Sequence, residues 1–402
     1  MSMNYKYITL IIIGCVFFLS INFSGAINSS IDFAPIYYSS QILFDGGNIY
    51  DNDLLKEIII NNGHSNTAIH YLYPPFVSAL AQPLGQLPLR VALTMWLLIN
   101  TIALILGFGI LINTFIPDKI KYYLIVLGCC LIFYPVIFNL LLGQINPIVL
   151  LLLSGGLVLL LKQKNTGSGI LIGIASLIKV FPIIFLIYAL FIKKFKVFFS
   201  GILTIFAGIL LTCLLSGSAG LANSIEYFSS VLPSIFSGNL LGWSPGNSSP
   251  GFLDILWTTA QSATILSIAT KIFITIFFVF IGYKYLIRKQ IIDRKSIILE
   301  YSFLATILVI ASAFSFHHYL LWLVIPFIVL FYIYLNNRNK YFLISLLFAF
   351  LLSAIPPLFI EVLLPTNIND SIYPFINPGL WSVVMVLVII ISQYFNKSLQ
   401  NR

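Results

Sequence analysis

The chain has 402 residues, 59% hydrophobic and 8% charged, with a mean hydropathy of +1.02. Soluble domains carry roughly 25% charged residues, and a soluble core of this size has too little interior to hide so much apolar surface, whereas a bilayer solvates it. The net charge of +9 would suggest nucleic acid in a soluble protein, but here the basic residues form short clusters between apolar runs, as in cytoplasmic loops. The expected fold class is therefore an all-α polytopic membrane protein.

Taken in chain order, apolar runs with the roughly 20 residues needed to cross a bilayer are expected at 7–27, 74–88 (short), 90–113, 121–142, 145–162, 168–192, 195–216, 263–287, 296–314, 318–335, 341–360 and 378–396. That makes about twelve spans, with no fixed-period repeat. The first run follows Lys6 and ends in Ser-Gly-Ala, which resembles a cleavable signal; its length favours a retained helix. Two modules are expected, 1–216 with a first outer loop at 28–70, and 217–402. Lys6, the clusters at 193–196, 288–295 and 336–340, and Lys397 with Arg402 face the cytoplasm by the positive-inside rule. The loops 28–70, 217–262 and 361–377, which hold Lys56 as their only basic residue, then face outward, and both termini lie inside. The run KQKNTGSG at 162–169 conflicts with this scheme, because counting places it outside. The conflict is removed if 168–192 is a broken hairpin, as Pro182 permits, or if 74–88 does not cross.

Several polar groups stand where they are expensive. The loop at 28–51, NSSIDFAPIYYSSQILFDGGNIYD, crowds Asp32, Asp45 and Asp51 together, with Asp53 and Glu57 close behind. Asp32 follows the first run closely and should lie near the membrane surface. A loop of this length, with aromatic residues and a Gly46-Gly47 turn, is expected to fold helically onto that surface and to carry function. YLYPPF at 71–76 reads as a helix start with interfacial tyrosines. Gln144 and Asn146 lie in a tight connection, where they either cap helix ends or hydrogen-bond a ligand. Lys179 stands in an apolar run at a cost of roughly 2.5–3.5 kcal/mol, so it snorkels, pairs, or holds an anion such as a lipid phosphate. His317 and His318 sit between two spans, where a His pair can bind phosphate or relay protons. Asn247, in the Gly/Pro-rich loop at 242–253, is a candidate ligand contact. The four cysteines, Cys15, Cys129, Cys130 and Cys213, lie within apolar runs, and no metal-ligand spacing is present.

DFAPIYY, DGGNIYD, YLYPPF, GQINPIVLLLL, GILIGIASLIKVFP, GNSSPGFL and FHHYLLWLVIP, in this order from residue 32 to about 326, resemble the polytopic GT-C glycosyltransferases and more narrowly glycosyltransferase family 87. The resemblance implies transfer of a hexose, mannose in the mycobacterial members, from a polyprenyl-phosphate donor to a lipid or glycan acceptor on the extracytoplasmic side. It places the catalytic base at Asp32. Lys179, His317 and His318 would then hold the donor phosphate, and Tyr37, Tyr38, Gln144, Asn146 and Asn247 the sugar or acceptor. No metal or other cofactor is implied, since the leaving group is a monophosphate. The loop NSSPGFL departs from the family pattern in lacking a glutamine-type residue after the asparagine. A transporter or lipid flippase is the rival reading, since such proteins also place a lysine and a broken helix near the midplane; the clustering of carboxylates outside the spans speaks against it. A lipid-linked glycan ligase would carry basic residues in its late outer loops, which are absent here.

Overall fold

The computed structural model describes residues 32–62, 71–117, 120–237, 260–290, 292–310, 315–356 and 377–395. The first apolar run and Asn247 lie outside these. Every regular element among the described residues is helical. Two helices, α1 (Phe33–Phe44) and α2 (Asn52–Asn61), form the first loop. They are followed by α3 (Pro75–Gly85), α4 (Leu89–Phe115), α5 (Ile120–Ile132), α6 (Tyr134–Leu142), α7 (Asn146–Leu161), α8 (Asn165–Ile178), α9 (Ile183–Phe191) and α10 (Phe195–Glu226), which is kinked at Gly217 (φ 57°, ψ −138°). A π-helical turn leads into α11 (Leu232–Ser237). Next come α12 (Ala260–Gly282) with a π-helical extension to Ile287, α13 (Arg294–Ile310), a 3₁₀ helix (His317–Leu323), α14 (Val324–Asn337), α15 (Lys340–Ala354) and α16 (Pro378–Phe395).

Among the described residues, five helical stretches are long and apolar enough to cross a membrane: Leu89–Phe115, Phe195–Phe236, Ile268–Ile287, His317–Asn337 and Pro378–Phe395. Their outward surface shows what solvates them. On α10, Phe199, Leu203, Phe206, Leu210 and Leu214 recur at helical spacing and are all more than half exposed. Water would not tolerate that stripe, whereas acyl chains do. The prolines start helices where expected. Pro74 is extended and Pro75 occupies the first turn of α3, while Pro135 and Pro147 do the same for α6 and α7. The run 121–142 is accordingly divided at Phe133.

The run 168–192 is a broken hairpin. Helix α8 ends at Ile178, Lys179 is extended (φ −138°, ψ 131°), and α9 begins after Pro182. The chain then returns to where α8 started: Lys194 Nζ donates to Gln163 Oε1 at 2.7 Å and Ser200 Oγ to the Thr166 carbonyl at 3.2 Å. Helices α8 and α10 therefore run side by side in the same direction. They approach so closely that a Cβ on Gly169 would lie 2.2 Å from the Val197 carbonyl oxygen, the small-residue packing that lets helices associate in lipid. At 11 residues, α3 is also far shorter than a crossing helix.

A polar knot fastens the opposite wall of the bundle. Glu300 on α13, 2% exposed, accepts from Lys284 Nζ at 3.1 Å, Tyr285 at 2.9 Å, Tyr394 at 2.7 Å and Tyr188 at 2.6 Å. It thereby joins α9, the end of α12, α13 and α16. A buried ion pair is tolerated when its remaining lone pairs are satisfied in this way.

Candidate active site

Asp32 stands directly before α1, half-buried. Its backbone N–H donates to the Leu142 carbonyl at 3.1 Å, and its Oδ2 accepts from Gln144 Nε2 at 2.6 Å. The turn that makes this possible is Gly143, in the left-handed region at φ +69°, with its carbonyl accepting from Trp96 Nε1 at 2.7 Å. A Cβ at Gly143 would lie 2.8 Å from that of Phe33. Only glycine therefore lets this turn press against the start of α1.

Gln144, buried, is oriented from its other end: Tyr73 donates to its Oε1 at 3.3 Å. Beyond Tyr73 lies Lys179, 8% exposed, at the tip of the α8–α9 hairpin. Its Nζ makes no hydrogen bond or ion pair among the described residues and is boxed by rings, 4.2 Å from the centroid of Tyr319, 5.5 Å from Trp322 and 5.7 Å from Tyr73. Tyr319 and Trp322 are stacked 5.2 Å apart and 7° from parallel, because the 3₁₀ helix eclipses residues three apart. Trp322 Nε1 is buried without a hydrogen-bond partner among the described residues. Asp32 and Lys179 interact electrostatically. Burial raises the Asp32 carboxyl to about 6, against the opposing pull of the Gln144 hydrogen bond and the Lys179 charge. Asp32 is thus a stronger base than an ordinary aspartate and still ionised at neutral pH.

The remaining candidates fall into two groups. His318 joins the site from behind: its carbonyl accepts from Asn139 Nδ2 at 2.8 Å and Asn146 Nδ2 at 3.4 Å, and its ring meets Tyr319 edge-on at 4.5 Å. Asn146 thus ties the start of α7 to the 3₁₀ helix, and His317 is buried beside it. Tyr37 and Tyr38 are turned to packing. Tyr37 donates to the Leu87 carbonyl at 2.7 Å, and Tyr38 is buried edge-on against it. Together with Ser39 on Ser78 (2.8 Å), Gln41 on the Gly85 carbonyl (2.7 Å) and Tyr50 on the Tyr73 carbonyl (2.8 Å), Tyr37 clamps the first loop onto α3. Asp51 caps α2, accepting from Leu54 N at 3.0 Å. Tyr73, Tyr319 and Trp322 were not singled out by sequence. Their signal was the three-residue spacing in HHYLLW and the aromatic pair in YLYPPF, which alone is equally an interfacial belt.

These features define an all-helical, polytopic membrane protein with a carboxylate, an amide and a lysine gathered at one end of the bundle. Residues 71–309 match the profile of glycosyltransferase family 87, well over half of the chain, and the protein belongs to that family; it is a membrane glycosyltransferase. The matched stretch contains Tyr73, Gln144, Asn146 and Lys179 and begins after Asp32. The chain is also similar to the alpha-(1->3)-arabinofuranosyltransferase of Corynebacterium glutamicum, 28% identical over 190 residues, which is 47% of this chain and 42% of that protein. It therefore spans less than half the length of this relative.

The Asp32–Gln144 contact makes a pH prediction. If Asp32 acts in its ionised form, kcat/KM should be level above about pH 6 and fall tenfold per pH unit below it. Gln144→Leu removes a hydrogen bond to the charged form, so the acid limb should move to higher pH, by roughly one unit. An unmoved limb in a folded variant would show that this hydrogen bond does not tune the essential base.

Proposed function

We propose that the protein transfers a hexose, with mannose the first candidate, from a polyprenyl-phosphate donor to a lipid or glycan acceptor, with inversion at the anomeric carbon. The observation that carries this reading is the pairing of a half-buried carboxylate with a hydrogen-bond-free lysine across Tyr73 and Gln144. Asp32 takes the proton from an acceptor hydroxyl as its oxygen bonds to the anomeric carbon. The bond from that carbon to the phosphate oxygen breaks, and its electron pair leaves with the polyprenyl phosphate. That leaving group is already an anion, so it needs charge stabilisation and not protonation. Lys179 supplies it. Tyr319, half-buried and backed by the stacked, buried Trp322, suits the apolar face of a sugar ring. The experiment is transfer from purified polyprenyl-phosphate mannose and, separately, polyprenyl-phosphate arabinofuranose to membrane acceptor. Mannose transfer is expected. Activity with the arabinose donor alone would move the specificity to that of the corynebacterial relative, and activity with neither would overturn the donor class.

For topology, we read ten crossings, with α3 and the α8–α9 hairpin not crossing. Two observations support this. The Asp32–Gln144 bond needs an even number of crossings between those residues, which α4 and the α5–α6 pair supply once α3 is removed. The Gln163–Lys194 contact then keeps both lysine-bearing turns on one face, together with 288–295 and 338–340, as the positive-inside rule requires. The site consequently faces outward. A cysteine replacing Lys56, exposed on α2, should react with an impermeant thiol reagent in intact cells. Labelling only after the membrane is breached would reverse the topology.

A further inference from the structure

Helices α13 and α14 run from the candidate site to the opposite end of the bundle. The 17 residues of α13 span about 25 Å. A second polar cluster lies at that far end. A cleft of about 1200 Å³ opens there, lined by Lys284, Arg288, Arg294, Lys295, Tyr332 and Tyr394, with Asp293 its one carboxylate. Lys284 is committed, because it also donates to Ser296 Oγ at 3.0 Å and its charge is matched by Glu300. Asp293 accepts from Ser296 N at 2.7 Å as the cap of α13, and its charge partly offsets the desolvation of Lys295 without hydrogen-bonding to its Nζ. Arg288 donates through Nε to the Tyr283 hydroxyl at 2.8 Å, which leaves its terminal nitrogens for another partner. Lys295 is the informative residue. Its Nζ is buried and has no hydrogen-bond partner among the described residues. A buried ammonium without an acceptor is costly, and here it stands beside two arginines whose planar donors match phosphate oxygens. The cleft is far larger than the roughly 30 Å³ a water molecule occupies, and its lining includes the apolar residues Phe280, Ile298, Leu299 and Phe395.

We propose that this cleft is a binding site for a phosphate-bearing anion, held by Arg288, Arg294 and Lys295, with the apolar lining residues meeting the acyl chains of the lipid whose headgroup carries that phosphate. It is separate from the sugar-transfer site by the length of α13 and does not depend on how that site works. A surface that is merely basic would attract anionic lipids without saturation and without regard to which lysine is removed. A built site binds one headgroup and depends on Lys295.

The test uses the full chain in phosphatidylcholine nanodiscs titrated with phosphatidylglycerol, read by native mass spectrometry and by thermal unfolding, with inorganic phosphate as a parallel titrant. Saturable binding of one phosphatidylglycerol is expected, with Lys295→Met and Arg288→Gln each weakening it about tenfold. Lys196→Gln, an exposed lysine outside the cleft, should bind as the unaltered protein does. Inorganic phosphate that displaces the lipid and stabilises the protein by itself would assign the site to a free anion, the same chemistry from a different source. Equal weakening by Lys196→Gln, unchanged binding in both cleft variants, or no saturable binding of either titrant would overturn the proposal. Because Arg288 is exposed, its variant keeps the test open should Lys295→Met fail to fold.

Discussion

Asp32→Asn should reduce sugar transfer by about 10²–10⁴-fold, the usual effect of losing a general base, while leaving expression and donor binding near normal. Asparagine keeps the size of the side chain and an oxygen for Gln144 Nε2, which bonds Oδ2 at 2.6 Å, so the turn at Gly143 and the start of α1 are retained. What is lost is the proton acceptor. The acid limb near pH 6 should vanish with it, because the group that titrates is gone. Asp51→Asn is the matched control: Asp51 caps α2, and asparagine caps equally well, so turnover should be almost unchanged. The measurement is initial transfer rate at equal protein level for both variants. A wild-type rate in Asp32→Asn would remove this loop from the chemistry and favour a transport function.

Lys179→Met should weaken binding of the polyprenyl-phosphate donor by about 2–5 kcal/mol, tens- to thousands-fold in Kd, as expected when a buried charge pair loses one partner. Methionine fits the box formed by Tyr73, Tyr319 and Trp322, so folding should survive. A second readout separates this role from snorkelling. The Lys179 charge holds the Asp32 carboxyl below the value that burial alone would give, so removing it should shift the acid limb of kcat/KM to higher pH. A lysine that merely reached toward the interface would alter neither donor affinity nor the limb.

The helices were largely legible in the sequence, because hydropathy reports what a bilayer tolerates. The runs expected at 90–113, 145–162 and 378–396 are Leu89–Phe115, Asn146–Leu161 and Pro378–Phe395. What hydropathy does not encode is direction. The run 168–192 is apolar apart from Lys179, yet it doubles back there. The charge conflict at 162–169 and Pro182 leave a hairpin open beside a non-crossing 74–88, and the contacts of Gln163 with Lys194 and Thr166 with Ser200 reveal it. The same holds for the site. Asp32, Gln144 and Lys179 each stood out singly, as polar groups in costly places. Their association depends on a hydrogen bond between residues 112 apart in sequence, which no periodicity contains. Tyr37 and Tyr38 share the loop with Asp32, and position in sequence does not show that the Tyr37 hydroxyl turns to the Leu87 carbonyl. Lys284 and Glu300 went unmarked because each alone resembles a helix-end charge, and the three tyrosines that make the pair tolerable come from separate helices.

If the proposed site and topology hold, the lengths of α8 and α9 also set how deep the reaction takes place. Helix α8 has 14 residues and is about 21 Å long, against a hydrocarbon layer of roughly 30 Å. On the proposed topology, Lys179 at its tip would lie several ångströms beneath the outer headgroups. A polyprenyl phosphate would not have to lift its phosphate into water to meet this lysine; it would lower it slightly. The acceptor has to make the longer journey, and a hydroxyl tethered to a lipid is carried down by its own acyl chains. Water-soluble acceptors bearing the same sugar but no lipid should consequently be poor substrates through a raised KM, with kcat little changed once they are bound.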